Sequence, residues 1–183
     1  REIEAIMSIR NLQYLFAPKS VAVVGASTRP KSIGNLVMQN LLEAGFQGPI
    51  MPVNPKHLSI SGVLAYKNIE ALPVIPELAV ICTPPRTIPG VLEELNAKGT
   101  RAAIVLTAGL GGVEHEEGVT VKDKMVEIIE GNQMRILGPN CLGLLVPSIG
   151  LNASFAHRAA LPGKIAFVSQ SGALCTAVLD WAR

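Results

Sequence analysis

Short, intensely apolar runs punctuate this chain, and each stops at glycine, proline or a small polar residue. Ser20 to Val24 ends at Gly25, Ile50 to Val53 at Asn54-Pro55, and Leu78 to Thr83 at Pro84-Pro85. Ala102 to Thr107 and Met134 to Leu137 complete the series. A membrane-spanning helix needs about 20 apolar residues in a row, and these runs are far shorter. Unbroken apolar runs instead suit strands of a parallel sheet, whose two faces are both covered by helices. Between them lie stretches with helical spacing. Ser32 to Ala44 carries Ile33, Leu36, Val37 and Leu41, with Ser32 as N-cap and Gly45 as stop. Thr87 to Lys98 carries Ile88, Val91, Leu92 and Leu95 before Gly99, and Val119 to Glu130 ends at Gly131. Ser61 to Ile69 fits a loop or short hairpin. Strand–helix alternation with short connections predicts right-handed crossovers and an α/β, doubly wound parallel sheet.

Composition narrows the class. Hydrophobic residues make up 49% and charged ones 16%, against about 25% charged in an ordinary domain. That excludes disorder. Sixteen basic and 14 acidic residues give a net charge of +2, which excludes a basic nucleic-acid arm. Cys82, Cys141 and Cys175 form neither a CxxC pair nor a metal spacing, so reduced thiols in a cytoplasmic protein are expected. No signal peptide is recognisable. The 183 residues suffice for one domain and a piece of a second. The chain begins with Arg1 rather than Met and stops at Arg183 within a helical pattern, so a fragment of something longer is expected. From Leu144 to Pro162 the alternation stops, with Pro147, Gly150 and Pro162 marking loop. Then come a strand at Ile165 to Val168, the loop Ser169 to Gly172, and a helix from Ala173 whose Leu174, Ala177, Val178 and Trp181 share a face. The expected division is a domain over 1–145, a linker over 146–162, and the start of a second domain over 163–183.

Ligands of a doubly wound sheet sit beyond the carboxyl ends of its strands. The first end runs Gly25-Ala26-Ser27-Thr28-Arg29-Pro30-Lys31-Ser32-Ile33-Gly34. Small residues let the backbone approach a phosphate, and a helix N-terminus offers free N–H groups and partial positive charge. Arg29 and Lys31 add two cations. The same residues also suit an ordinary strand–helix turn. The G-x-G-x-x-G fingerprint is absent, because Gly25 and Gly34 are too far apart. The second end, Val53-Asn54-Pro55-Lys56, lacks the acid that holds a free ribose diol. Lys56 either favours a phosphorylated ribose, as in NADP or coenzyme A, or is a solvated turn residue. The third end, Cys82-Thr83-Pro84-Pro85-Arg86, is a rigid loop that can wall a pocket, with Cys82 a small buried residue rather than a nucleophile. The fourth, Thr107-Ala108-Gly109-Leu110-Gly111-Gly112, lets backbone lie against a ligand, or is simply flexible. In the fifth, Gly138-Pro139-Asn140-Cys141-Leu142-Gly143, the Asn140 side chain could bond backbone or ligand.

His57, His115 and His157 lack metal-ligand spacing. His115, among Glu114, Glu116 and Glu117, reads as a solvated acidic helix start. No Ser-His-Asp order or acid–base pair is recognisable. Ser169-Gln170-Ser171-Gly172 reads on its own as a plain N-cap, or as a second anion cradle.

Taken in order, Val21 to Ser27, Val53 to Lys56, Cys82 to Pro85, Thr107 to Gly109, Gly138 to Gly143 and Val168 to Gly172 resemble the NDP-forming acyl-CoA synthetases. These are the ADP-forming acetyl-CoA synthetases, related to the succinyl-CoA synthetase alpha subunit. The resemblance runs from Leu15 onward and implies a Rossmann-like CoA-binding domain followed by the first strand–helix unit of a flavodoxin-like one. Gly25, Ala26, Ser27, Arg29, Lys31 and Ser32 would hold the CoA phosphates. Val53, Asn54, Pro55 and Lys56 would take the adenosine part, with Lys56 on its 3′-phosphate. Thr83, Pro84, Thr107, Ala108 and Gly109 would line the pantetheine path, and Asn140 would also be a CoA-binding residue. Ser169, Gln170, Ser171 and Gly172 would cradle a phosphohistidine lying outside this chain. The implied reaction takes acyl-CoA and phosphate to acyl phosphate, passes the phosphoryl group to that histidine, and then to ADP. This stretch would lack that activity alone. ADP or ATP and Mg are expected only with an ATP-grasp subunit or domain, and a homo-oligomer is allowed. Two other readings remain: a ligand-binding regulatory module fused to a GNAT-type protein-lysine acetyltransferase, and an NADP-dependent reductase or nucleotide-sensing domain.

Overall fold

The computed structural model describes residues 9–131 and 134–182. In chain order its elements are α1 (Leu12–Phe16), β1 (Val21–Val24), α2 (Ile33–Glu43), β2 (Ile50–Val53), β3 (Ser59–Ile60), β4 (Val63–Leu64) and β5 (Leu78–Ile81). Then follow α3 (Ile88–Lys98), β6 (Ala102–Val105), β7 (Glu114–Glu116), β8 (Val119–Thr120), α4 (Val121–Gly131) and β9 (Arg135–Leu137). The chain ends with β10 (Gly143–Val146), β11 (Leu151–Ser154) and α5 (Gly172–Trp181).

The five apolar runs become one parallel sheet in the order β2-β1-β5-β6-β9. All four residues of β1, β5 and β6 are buried, as two-sided coverage requires. Alternate residues serve opposite cores. Val21, Val23, Leu78, Val80, Ala102 and Ile104 meet Val37, Met38 and Leu41 of α2. Ala22, Val24, Ala79, Ile81, Ala103 and Val105 meet Ile88, Leu92 and Leu95 of α3 and Met125 of α4. Outside β2, Tyr66 adds a single parallel bridge to Val53. Its N–H donates to the Pro52 carbonyl at 2.9 Å, and its carbonyl accepts from Asn54 N–H at 2.9 Å. Pro52 is therefore tolerated in a strand, because its missing donor faces this thinly paired edge. With Tyr66 counted as a strand, the chain order across the sheet becomes 3-2-1-4-5-6, the order of a Rossmann sheet. The direction of winding reverses between β1 and β5.

Three local expectations change. Glu114 to Glu117, read as a solvated acidic helix start, and Val119–Thr120, read as the opening of the next helix, form the β7–β8 hairpin, reversed at Gly118 with φ +75°. The stretch after Leu144, read as loop, contains the antiparallel β10–β11 hairpin. Pro147 and Gly150 are its turn rather than a sign of missing structure. Leu151 and Ala153 are buried against the α2 face, and the Asn40 side chain of α2 donates to the carbonyls of Ser154 at 2.8 Å and Ala156 at 2.9 Å. The strand expected at Ile165 to Val168 does not form, and Ile165 and Val168 are 94% and 95% exposed. A strand needs a neighbour for its N–H and C=O groups, and no described strand flanks this one.

Helix α5 starts near its expected place, with the Ser171 hydroxyl accepting from Leu174 N–H at 3.2 Å. None of its residues is buried, and Trp181 is 86% exposed. It is tied back through Asp180, whose Oδ1 lies 2.9 Å from His157 Nε2 and 2.6 Å from Arg158 Nε. The hydrogen bond from His157 and the Arg158 charge hold the Asp180 carboxyl below its usual range. A lowered carboxylate pKa stabilises docking above the ordinary aspartate value, and the effect fades as pH falls through the lowered one, below about pH 4. Asp180→Asn should therefore speed amide hydrogen exchange in α5 at neutral pH and leave β1, β5 and β6 protected. Equal protection of α5 in both proteins would show that the carboxylate does not hold the helix.

Candidate functional site

The carboxyl ends of β1, β2, β5, β6 and β9 bring together most residues singled out from the sequence. Gly25 leaves β1 at φ +88°, a conformation that favours glycine. A Cβ there would lie 3.0 Å from the Cys82 carbonyl carbon and the Thr83 methyl, so β1 and β5 close tightly at the switch point. Gly34, in the first turn of α2, is read from the sequence only as lying too far from Gly25 for a fingerprint, yet it has a packing role. A Cβ at Gly34 would collide with the Gly25 carbonyl oxygen and lie 3.2 Å from Ala26 Cα. Its absence lets the start of α2 settle onto the loop, the packing role of a fingerprint's last glycine. Asn35, 8% exposed, was also missed, and its side-chain amide donates to the Ser27 carbonyl at 3.2 Å. A buried amide in a first helical turn was the available signal.

Polar side chains of Ser27, Ser32 and Asn54 shape these loops from within. Ser27 Oγ accepts from Arg29 N–H at 3.1 Å. Ser32 Oγ donates to the Arg29 carbonyl at 2.8 Å and accepts from Asn35 N–H at 3.4 Å, as the N-cap of α2. Asn54 Nδ2 donates to the Ala26 carbonyl at 2.8 Å, and its Oδ1 accepts from Lys56 N–H at 2.8 Å. Ala26 and Val53 are buried and form the floor. Facing outward are Arg29, Lys31, Pro55 and Lys56, all exposed. The three cations make no ion pair among the described residues. No Asp or Glu occurs in residues 25–35 or 53–66, so the lip has unopposed positive charge, to which the N-terminus of α2 adds.

The other half of the edge is tied by hydrogen bonds. Thr107 Oγ1 donates to the Thr83 carbonyl at 2.7 Å, and Asn140 N–H donates to the Thr107 carbonyl at 3.0 Å. Pro84, Ala108, Gly109 and Asn140 are exposed beside them. Thr83 Oγ1 is buried and has no hydrogen-bond partner among the described residues. Burial pushes the Cys82 thiol up to about 12, so it is not a nucleophile near neutral pH. No group of His, Cys, Asp and Glu among the described residues is placed to hold a metal. The Ser169 to Gly172 loop is largely exposed, with Ser169 Oγ accepting from Ser171 N–H at 3.0 Å. A Cβ on Gly172 would touch the Leu142 side chain, which places this loop beside the β9–β10 turn. No hydrogen bond among the described residues joins it to the Gly25 to Ser32 loop.

The site is an open edge. A cavity of about 550 Å³, lined by Asn68, Glu70, Glu94, Ala97 and Lys98, lies at the C-terminal end of α3, at the opposite edge of the sheet. Lys98 is engaged there, donating to the carbonyls of Glu70 at 2.7 Å and Leu72 at 2.9 Å. No described helix is long and apolar enough to cross a membrane.

A family model described as a CoA binding domain matches residues 19–147. The chain is 42% identical over 175 residues to acetate–CoA ligase (ADP-forming) I subunit alpha of Pyrococcus furiosus, covering 93% of this chain and 38% of that one. It is 36% identical over 168 residues to 4-hydroxybutyrate–CoA ligase (ADP-forming) of Nitrosopumilus maritimus, covering 91% of this chain and 24% of the relative. Among solved structures, the dinucleotide-forming acetyl-coenzyme A synthetase 1 of Ca. Korarchaeum cryptofilum, in complex with phosphate and ADP, aligns with a TM-score of 0.84 and 37% identity, covering 93% of this chain and 36% of that one. The chain thus spans well under half the length of these relatives. With a matched sheet, a glycine-closed switch point and a cationic lip, the chain belongs to the CoA binding domain family.

Proposed function

We propose that the chain binds coenzyme A for an ADP-forming acid–CoA ligase. The observation that carries this is the acid-free lip of Arg29, Lys31 and Lys56 above the N-terminus of α2, on a CoA-binding fold. CoA carries roughly four negative charges, and each exposed ion contact contributes about 1 kcal/mol or less. Binding therefore sums many small contacts. The diphosphate lies on the Gly25 to Ser32 loop, and the adenosine lies over Val53 to Lys56. The pantetheine runs past Thr83, Pro84 and Thr107 to Gly109 toward Asn140. These residues bind and orient CoA and supply no acid or base.

The parent enzyme's remaining parts are an ATP-grasp subunit or domain, which brings ADP and Mg, and a histidine outside this chain. Residues 163–183 begin the second domain, and Ser169 to Gly172 receive the phosphorylated histidine. The free thiols Cys82, Cys141 and Cys175 suit a cytoplasmic setting. The relatives above are ligases, which favours this reading over the acetyltransferase-fused module, and the family match favours CoA over NADP. Calorimetric titration with CoA and NADPH, at low and high salt, tests it. CoA should bind, more weakly as salt rises, and NADPH should not. NADPH binding without CoA binding would overturn the proposal.

A further inference from the structure

His57 stands where the two cationic loops meet. Its Nε2 lies 3.4 Å from the Thr28 hydroxyl, across the gap between the β1–α2 loop and the turn after β2. The Asn54 to Ala26 hydrogen bond ties the same loops from beneath. The hydrogen bond from Lys56 N–H to Asn54 Oδ1 fixes the backbone turn that presents Lys56 and His57 together. Both are exposed, and neither meets a carboxylate on these loops, which contain none. This absence is selective, since the chain has 14 acidic residues elsewhere.

A phosphomonoester bears about −1.5 to −2 charges near neutral pH. Lys56 alone supplies one positive charge, and the α2 N-terminus is already engaged with the diphosphate in the reading above. An imidazole whose Nε2 faces a hydroxyl keeps Nδ1 as a second polar atom, and as imidazolium it donates from both nitrogens. We infer that His57 is a further binding residue of this site, which with Lys56 holds the ribose 3′-phosphate and so selects CoA over 3′-dephospho-CoA. The inference rests on the CoA-binding reading.

The test titrates the full chain, wild type and His57→Gln, with CoA and with 3′-dephospho-CoA. Wild type should prefer CoA. His57→Gln should lower CoA affinity about three- to tenfold and leave dephospho-CoA affinity unchanged. His57→Lys should restore most of the preference, because it places a cation in the same turn. The side chain is exposed, so both variants should unfold at the wild-type denaturant midpoint. An equal loss for both ligands, or no loss for either, would overturn the role of His57 and leave CoA binding standing. Failure of the wild type to bind CoA would overturn the functional reading itself.

Discussion

Gly34→Ala is expected to destabilise the chain by about 1–3 kcal/mol and to weaken CoA binding at least tenfold. The cause is a single methyl group. Its position overlaps the Gly25 carbonyl oxygen, which belongs to backbone and cannot rotate away. The first turn of α2 must lift from the loop, moving the N–H groups that would face a diphosphate. Gly34 has no left-handed φ, so the effect is steric and not conformational. Gly90 provides the control. It sits on the exposed face of α3, where an added Cβ meets nothing. Gly90→Ala should therefore stabilise by about 0.5–1 kcal/mol through helix propensity. Urea unfolding measures both. Equal, small effects at the two positions would mean that the close approach of α2 to β1 does not exist in solution.

Charge reversal at the lip is the second large effect. Lys56→Glu should lower CoA affinity about tenfold, and Arg29→Glu with Lys56→Glu about a hundredfold, since each reversal removes an attraction and adds a repulsion. Stability should hardly change, because both side chains are exposed and make no ion pair among the described residues. The salt dependence should also flatten, as fewer screened contacts remain. A double variant that binds CoA as tightly as wild type would move the phosphates away from this lip.

The sheet was legible because β1, β5 and β6 are buried on both sides, and that leaves an unbroken apolar run. The N-cap Ser32 was legible for a local reason, since its hydroxyl meets a backbone N–H three residues on. What escaped depends on distance across the fold. Gly34 looks like any helix-start glycine until the Gly25 carbonyl is placed against it. Nothing local in the sequence shows that the Asn54 amide ties the turn after β2 to Ala26 and to Lys56. The β10–β11 hairpin was hidden because Pro147 and Gly150 signal loop, while the burial of Leu151 and Ala153 comes from α2, more than a hundred residues earlier. At Ile165 to Val168 the strand-like pattern is real, but no described strand flanks it to accept its hydrogen bonds.

The most direct test of the central claim is a crystal structure of the chain with CoA bound. The account predicts the diphosphate at the Gly25 to Ser32 loop, the 3′-phosphate beside Lys56, and the pantetheine arm along Thr83 and Thr107. CoA seated at the opposite edge of the sheet, in the cavity between Glu70, Glu94 and Lys98, would contradict it.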